Sequence, residues 1–237
     1  MKKLIVSDLD GTLLPYGSEK ISEKILIRIK SILKRGGEFA IASGRSYTEL
    51  KQLLGDIADK VYIIADDGAY TVKAGKVVYS RPIPFPELNC FVRECESCVL
   101  HTAFGSFTVG TPPASIIPED AQQKSPSALI WDEVYKITAV GAPDEATEKY
   151  KLRKHSFDGA EEFVLAYANK GSAVSDLQLR LGLFTYDTYV IGDGGNDIPM
   201  ARVSAKSFAV GNSKFAEKAT DKVSDPCEAL DIILSLI

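Results

Sequence analysis

The sequence predicts an α/β protein in which an open parallel sheet, covered by helices, is interrupted by a small α+β insertion. Short apolar runs of strand length alternate with stretches of helical periodicity at both ends of the chain. Between them the texture changes and proline becomes dense, with Pro82, Pro84 and Pro86 followed by Pro112, Pro113, Pro118 and Pro126. Removing residues 83–166 leaves two pieces, 1–82 and 167–237, that together make one ordinary domain.

The elements follow in order. Lys3 to Ser7 reads as a buried strand entering Asp8-Leu9-Asp10-Gly11-Thr12. Ser22 can cap a helix with Ile25, Ile29, Ile32 and Leu33 on one face, stopped by Gly36-Gly37. Phe39 to Ala42 is the second strand, and Ser46-x-x-Glu49 is a capping box opening a helix that ends at Gly55. Val61 to Ile64 is the third strand. After Asp66-Asp67-Gly68, Tyr70 to Val72 and Lys76 to Tyr79 flank Ala74-Gly75 as a hairpin. Within the insertion, Ser106 to Val109 and Val134 to Val140 are strand-like. The βα rhythm then resumes with a helix from Gly171 to Leu181, a strand at Thr188 to Ile191, a helix near Asn196, a strand at Ser207 to Val210 and a last helix from about Pro226.

Composition narrows the function. With 28 Lys and Arg against 32 Asp and Glu in 237 residues the net charge is −4, and 45% of the chain is hydrophobic. That much apolar surface supports a core and argues against disorder. A mild acidic balance without a basic stripe argues against nucleic acid. The apolar runs fall well short of the roughly 20 residues a membrane span needs. Lys2 and Lys3 look like the start of a signal peptide, but Asp8 and Asp10 break the apolar stretch behind them, so a cytoplasmic protein with reduced thiols is expected.

The chemistry collects at strand ends. Asp8 and Asp10 stand where a parallel strand ends, and the spacing of two predicts that they share one side. A late strand ends in Gly192-Asp193-Gly194-Gly195-Asn196-Asp197. Adjacent central strands would bring four carboxylates into one crevice. Two carboxylates about 4 Å apart repel by roughly 4 kcal/mol at an effective dielectric of 20, so positive charge must sit among them. An all-oxygen site of this kind suits Mg²⁺. Taken singly, an Asp-Gly turn can equally be a turn and nothing more. Ser43-Gly44-Arg45, however, leads from the second strand into the helix capped by Ser46, pointing a hydroxyl and backbone N–H groups at the same crevice. Lys170 opens another helix, where a cation opposes the macrodipole and calls for an anion, unless it is a plain surface lysine.

Asp8-x-Asp10-Gly11-Thr12, Ser43-Gly44-Arg45, Lys170-Gly171 and Gly192-Asp193-x-x-Asn196-Asp197, in this order, resemble the four motifs of the haloacid dehalogenase (HAD) superfamily. An insertion between the second and third motifs resembles the C2-capped, Cof-type branch. Its helix-strands-helix-strands pattern is similar to the type B (IIB) cap of sugar phosphatases, sucrose-phosphate phosphatases and archaeal phosphoglycolate phosphatases. The resemblance implies a Rossmann-like core at 1–82 and 167–237, a cap at 83–166, and a Mg²⁺-dependent phosphoric monoester hydrolase acting on a small phosphorylated metabolite. It implies that Asp8 attacks phosphorus to form an aspartyl phosphate and that Asp10 protonates the leaving oxygen and then activates water, its carbonyl helping to hold the metal. Asp8, Asp10, Asp193 and Asp197 form the implied metal set. Thr12, Ser43, Gly44, Arg45, Lys170 and Asn196 form the implied substrate-binding set, with Thr12 fixing the nucleophile loop and Arg45 contacting substrate or merely capping a surface. A monomer or weak dimer is expected. Asp67 departs from the Asn of many Cof-type sequences and brings an extra negative charge. A phosphomutase on the same architecture is the nearest rival, and a non-catalytic, receiver-like phosphate-binding module the more distant one.

Cys90, Cys95, Cys98 and His101 have spacing that can suggest zinc or redox chemistry. A helical wheel instead puts Cys95 and Cys98 on one apolar stripe with Leu88, Phe91, Val92 and Val99, so the thiols read as small buried hydrophobes, and the lone Cys227 as inert. Trp131 and the cap tyrosines can line a sugar pocket or belong to the cap core.

Overall fold

The computed structural model describes residues 2–119, 121–124, 133–157 and 159–237; Pro126 and Trp131 lie outside them. In chain order the first elements are β1 (Leu4–Asp8), α1 (Glu23–Lys34), β2 (Glu38–Ala42), α2 (Tyr47–Leu54), β3 (Tyr62–Ala65), β4 (Tyr70–Lys73) and β5 (Lys76–Ser80). The middle of the chain supplies α3 (Phe85–Glu94), β6 (Ser97–Thr102), β7 (Gly105–Val109), β8 (Gln122–Gln123), β9 (Val134–Val140), α4 (Ala146–Lys149), β10 (Leu152–Phe157) and β11 (Ala160–Leu165). The chain returns through α5 (Lys170–Leu181), β12 (Thr188–Gly192), α6 (Ile198–Ala201), β13 (Lys206–Val210), β14 (Asp221–Val223) and α7 (Pro226–Leu236).

Eight strands form the larger sheet in the order β14-β13-β12-β1-β2-β3-β4-β5, parallel as far as β3 and antiparallel in the β4–β5 hairpin. The chain moves outward one way from β1 and the other way from β12, so the direction reverses between these two neighbours. Open α/β sheets leave their crevice at such a reversal, outside the carboxyl ends of the strands. Period-two alternation distributes the apolar residues. Leu4 and Val6 pack with Ala173, Val174 and Leu177 of α5, whereas Ile5 joins the cluster holding Ile29 and Ile32 of α1 and Leu230 and Ile233 of α7. Each such burial contributes about 1.5–3 kcal/mol, so the parity of β1 is strongly specified. Asp8 continues the Leu4 and Val6 side and therefore faces the layer that begins with Lys170.

The second sheet has the order β10-β11-β9-β6-β7-β8 and is antiparallel except where β8 pairs with β7. Phe91 of α3 covers one face, its ring 4.9 Å from Phe163 and 5.8 Å from Tyr150. Tyr135, Ile137 and Ala139 of β9 are buried in that apolar cluster. Lys136 and Thr138 alternate with them, and the register places His101 beside Lys136 and Glu162 beside Thr138. One face of this sheet is thus apolar and covered, and the other carries polar side chains toward the crevice of the first sheet.

Several local expectations need correction. The helical stripe ends early: α3 stops at Glu94, Cys95 is extended (φ −84, ψ 155), and Cys98 and Val99 belong to β6, held by ladders on both sides. Cys90 is exposed and Cys95 half-buried, so only Cys98 is a buried thiol among the three. Ser22 has extended N-cap geometry but makes no side-chain cap bond. The segment around Asn196 is a single 3₁₀ turn, Gly195–Asp197, before the four-residue α6. The capping box of Ser46 and Glu49 is present.

Gly171 shows how closely α5 is docked. A side-chain carbon there would fall on the backbone carbonyl of Pro199 in α6. Alanine is the better helix former by about 1 kcal/mol, but backbone cannot yield as a flexible side chain does. Gly171→Ala is expected to lower stability by about 1–3 kcal/mol net in urea unfolding, as overpacking does; an unchanged or raised midpoint refutes this account of the α5–α6 contact.

Candidate active site

Lys170 is the first helical residue of α5, behind an Asn169 N-cap whose Oδ1 accepts the Ser172 N–H at 2.9 Å. Its ammonium is 1% exposed and donates to Asp8 Oδ1 at 2.5 Å and to Asp197 Oδ1 at 2.7 Å. Burial works against the charge on Lys170, but Asp8, Asp197 and Asp67 outweigh it and hold the ammonium above its ordinary range. Burial pushes the Asp8 carboxyl up, with Lys170 pulling the other way and Asp197 adding to the rise.

The two strand ends meet around this pair. The second oxygen of Asp197 accepts the backbone N–H groups of Asp193 and Gly194 at 3.0 and 2.9 Å, which folds the Gly192–Asp197 turn onto itself. Asp193 accepts from Thr12 Oγ1 at 2.9 Å and from the Tyr16 hydroxyl at 3.2 Å. Its approach to the first loop depends on Gly11, which has φ +79 and whose missing side chain would otherwise collide with the Asp193 carboxylate. Asp8, Asp193 and Asp197 each present an oxygen within 4.8 Å of the others.

Three carboxylates converge rather than the four that strand parity suggests. β1 ends at Asp8, the chain turns through the left-handed Gly11, and the Asp10 carboxylate is taken up by Arg45, whose Nε and Nη2 reach Oδ2 and Oδ1 at 2.9 and 2.6 Å. Arg45 is thus neither a surface cap nor free toward substrate in this arrangement. Ser43 Oγ lies 3.5 Å from Asp10 Oδ2 and accepts the Arg45 N–H at 3.1 Å. Asn196 donates to Asp67 Oδ1 at 3.2 Å. Burial opposes ionisation of Asp67, but Lys170, Arg153 at 3.6 Å and the Asn196 amide together hold it below the ordinary carboxylate range. The extra charge at Asp67 is therefore paired within the protein.

Sequence reasoning missed the contribution of the smaller sheet. Lys136 of β9, almost fully buried, donates to the Gly44 carbonyl at 2.9 Å and pairs with Glu162 at 3.0 Å and Asp66 at 4.0 Å. Asp66 is completely buried, and neither of its oxygens has a hydrogen-bond partner. The strict alternation Tyr135-Lys136-Ile137-Thr138-Ala139 was the available signal, since it puts two polar residues on the face opposite α3. Between the sheets lies a cavity of about 430 Å³ lined by Asp10, Arg45, His101, Lys136, Thr138 and Glu162, among others. His101 is tied to Thr138 at 2.9 Å and Ser106 at 3.3 Å, and burial, with Lys136 beside it, holds its pKa well below the ordinary value.

A family model described as haloacid dehalogenase-like hydrolase matches residues 5–110 and 117–228. The chain belongs to this family. It is 22% identical over 244 residues to 5-amino-6-(5-phospho-D-ribitylamino)uracil phosphatase YbjI of Escherichia coli, covering 93% of this chain and 89% of that one. It is 25% identical over 234 residues to the HMP-PP phosphatase of Yersinia pseudotuberculosis, covering 90% and 85%. Its fold matches the solved structure of the HAD subclass IIB sugar phosphatase BT4131 with a TM-score of 0.75 at 20% identity, covering 99% and 97%. The chain is an enzyme of the phosphoric monoester hydrolase class. Among the described residues no helix is long and apolar enough to cross a membrane.

Two consequences of this hydrolase's charge arrangement are measurable. Removing the ammonium in Lys170→Met leaves Asp8 and Asp197 facing each other in a dry site, and urea unfolding with EDTA present should show a loss of about 3–5 kcal/mol; a loss below 1 kcal/mol means that Lys170 does not hold the cluster together. Asp66 is raised by burial to about 7, with Lys136 opposing the rise. Its folded pKa thus lies above its unfolded one, so stability present at low pH is lost as pH rises from about 4 to about 7. Asp66→Asn should remove a few kcal/mol of that decline, and identical pH profiles for variant and wild type refute it.

Proposed function

We propose that this hydrolase removes the phosphoryl group from a sugar phosphate or phosphoglycolate-type ester in two steps, with Asp8 as the nucleophile. The observation that carries the reading is the buried Lys170 ammonium bridging Asp8 and Asp197 at the carboxyl ends of β1 and β12. A carboxylate beside a cation is a competent nucleophile toward phosphorus, and the aspartyl phosphate divides hydrolysis into two displacements. Lys170 and the Ser43 hydroxyl would bind the transferring oxygens, and Lys170 would also steady Asp8 as it changes from carboxylate to acyl phosphate. Asp10 would protonate the leaving oxygen and then take a proton from water. In its fork with Arg45 it only accepts hydrogen bonds, so it must take up a proton and turn from Arg45 before it can act as an acid. Thr12 and Tyr16 orient Asp193, and Asn196 positions Asp67.

The donor set fits Mg²⁺. Its ligands are all oxygen, three carboxylates share one ammonium, and the negative excess calls for a hard cation that takes one or two carboxylates and keeps its waters. Asp8 and Asp193 would hold it together with the Asp10 carbonyl, while Asp197, already bonded to Lys170 and two backbone N–H groups, supports the arrangement. Bound Mg²⁺ would neutralise charge on the transferring phosphoryl group. Residues 83–166 form a cap whose polar sheet face closes over the crevice, excludes water and contacts the leaving group.

The test is phosphate release from p-nitrophenyl phosphate. Asp8→Asn should fold normally yet lose activity by at least about a thousandfold, and EDTA should abolish wild-type turnover until Mg²⁺ is restored. Comparable turnover by Asp8→Asn, or a rate indifferent to EDTA, overturns the reading.

A further inference from the structure

The side chains around the cavity between the two sheets have a charge balance that restricts what can leave with the ester oxygen. Resting on the phosphatase reading above, this deepens it: of the two substrate classes named there it keeps the sugar phosphate and excludes phosphoglycolate, whose leaving group is itself a carboxylate. The leaving oxygen must come to Asp10, so the leaving group must extend into the 430 Å³ space that Asp10 lines. That space is larger than a two-carbon glycolate requires and has room for a polyol or ring.

Its two cations are already occupied. Arg45 is engaged by both oxygens of Asp10. Lys136 has Glu162 at 3.0 Å, Asp66 at 4.0 Å and the Gly44 carbonyl at 2.9 Å. Glu49 adds a further carboxylate to the lining, and the His101 ring, buried and bonded to two hydroxyls, contributes no charge. Among the described residues, the lining with Asp10 ionised carries three carboxylates against two cations. With Asp10 holding the proton that it delivers, the balance is zero. In neither state is there a positive surplus to receive a second anion.

From this geometry we infer that the cavity selects an uncharged, hydrogen-bonding leaving group, and that Glu162, by occupying Lys136, is a specificity-determining residue that rejects esters carrying a second negative charge. A neighbouring cavity lined by Asp67, Arg153 and Lys214 does hold cations, but Asp10 does not line it. The two cavities share Gly44 and Glu162, so the Glu162 carboxylate also borders the approach from Asp10 to Lys214.

Matched esters that differ only at the far end test this: sorbitol 6-phosphate against 6-phosphogluconate, and glycerol 3-phosphate against 3-phosphoglycerate, where a CH₂OH group is exchanged for a carboxylate. Each is assayed with Mg²⁺ for kcat/KM and, as a competitor of p-nitrophenyl phosphate, for its inhibition constant. The neutral member of each pair should be preferred at least about tenfold, which corresponds to about 1.4 kcal/mol. In Glu162→Gln the released Lys136 should narrow the ratio to about threefold or less by raising kcat/KM for the anionic member, a selective gain that a merely structural role for Glu162 does not produce. Equal or reversed preference in the wild type, or failure of all four esters to compete, overturns the inference while leaving the phosphatase reading intact. An unchanged ratio in Glu162→Gln removes Glu162 from it. Absence of Mg²⁺-dependent hydrolysis of p-nitrophenyl phosphate overturns the underlying reading instead.

Discussion

The buried ammonium of Lys170 is the contact on which the arrangement of the crevice depends. A lysine side chain that is 1% exposed at the positive end of a helix is doubly unfavourable, through desolvation and through the dipole, unless anions reach it. Asp8 and Asp197 reach it from two strands that are neighbours in space and far apart in sequence. Each of the three charges is untenable there without the others. The cluster therefore sets how far α5 must advance over the sheet, and the absence of a side chain at Gly171 is what permits that advance past Pro199.

A second charged group joins the two sheets. Lys136 leaves β9, reaches the carbonyl of Gly44 in the loop that also carries Ser43 and Arg45, and shares itself between Glu162 and Asp66. Asp66 is placed poorly for stability, being fully buried, with a carboxylate unpartnered by any hydrogen bond and a backbone in the left-handed region at φ 48, as is Asp67 at φ 53. Strain and unsatisfied polar groups of this kind concentrate where a protein positions reacting or recognising groups rather than where it maximises stability. The face of the smaller sheet turned to the crevice is correspondingly polar and meets the larger sheet there through charges, while beside it Tyr135 continues the apolar packing onto Tyr70, ring to ring at 4.6 Å.

These two clusters divide the site by role. Around Lys170 the charges are dry, short and mutually compensating, which suits groups that must be held still while a phosphoryl group moves. Around Arg45, Lys136 and Glu162 the pairs border a cavity and, apart from the buried Lys136, are partly exposed, which suits recognition of a ligand. Asp10 stands between them, two residues past Asp8 by sequence and on the cavity wall by geometry.

Period-two alternation, helix-stop glycines and the Ser46–Glu49 capping box are local chemistry, which is why the βα order and most element positions were readable from residues alone. The four motifs were readable for the same reason: each lies within a few residues of a strand end or helix start, where backbone direction fixes side-chain placement. What lay beyond that range was decided by tertiary contact. The period that puts Asp8 and Asp10 on one side holds only while the strand lasts, and β1 ends at Asp8, leaving Asp10 beyond the ladder and paired with Arg45. Cys98 and Val99 fit a helical stripe by spacing, yet hydrogen bonds to β7 and β9 drew them into a sheet. Lys136, Glu162 and Asp66 carry no motif, and their meeting exists only because the two sheets face each other. A sequence specifies which side of a strand a residue occupies; which residues come to face that side depends on packing between elements far apart in the chain.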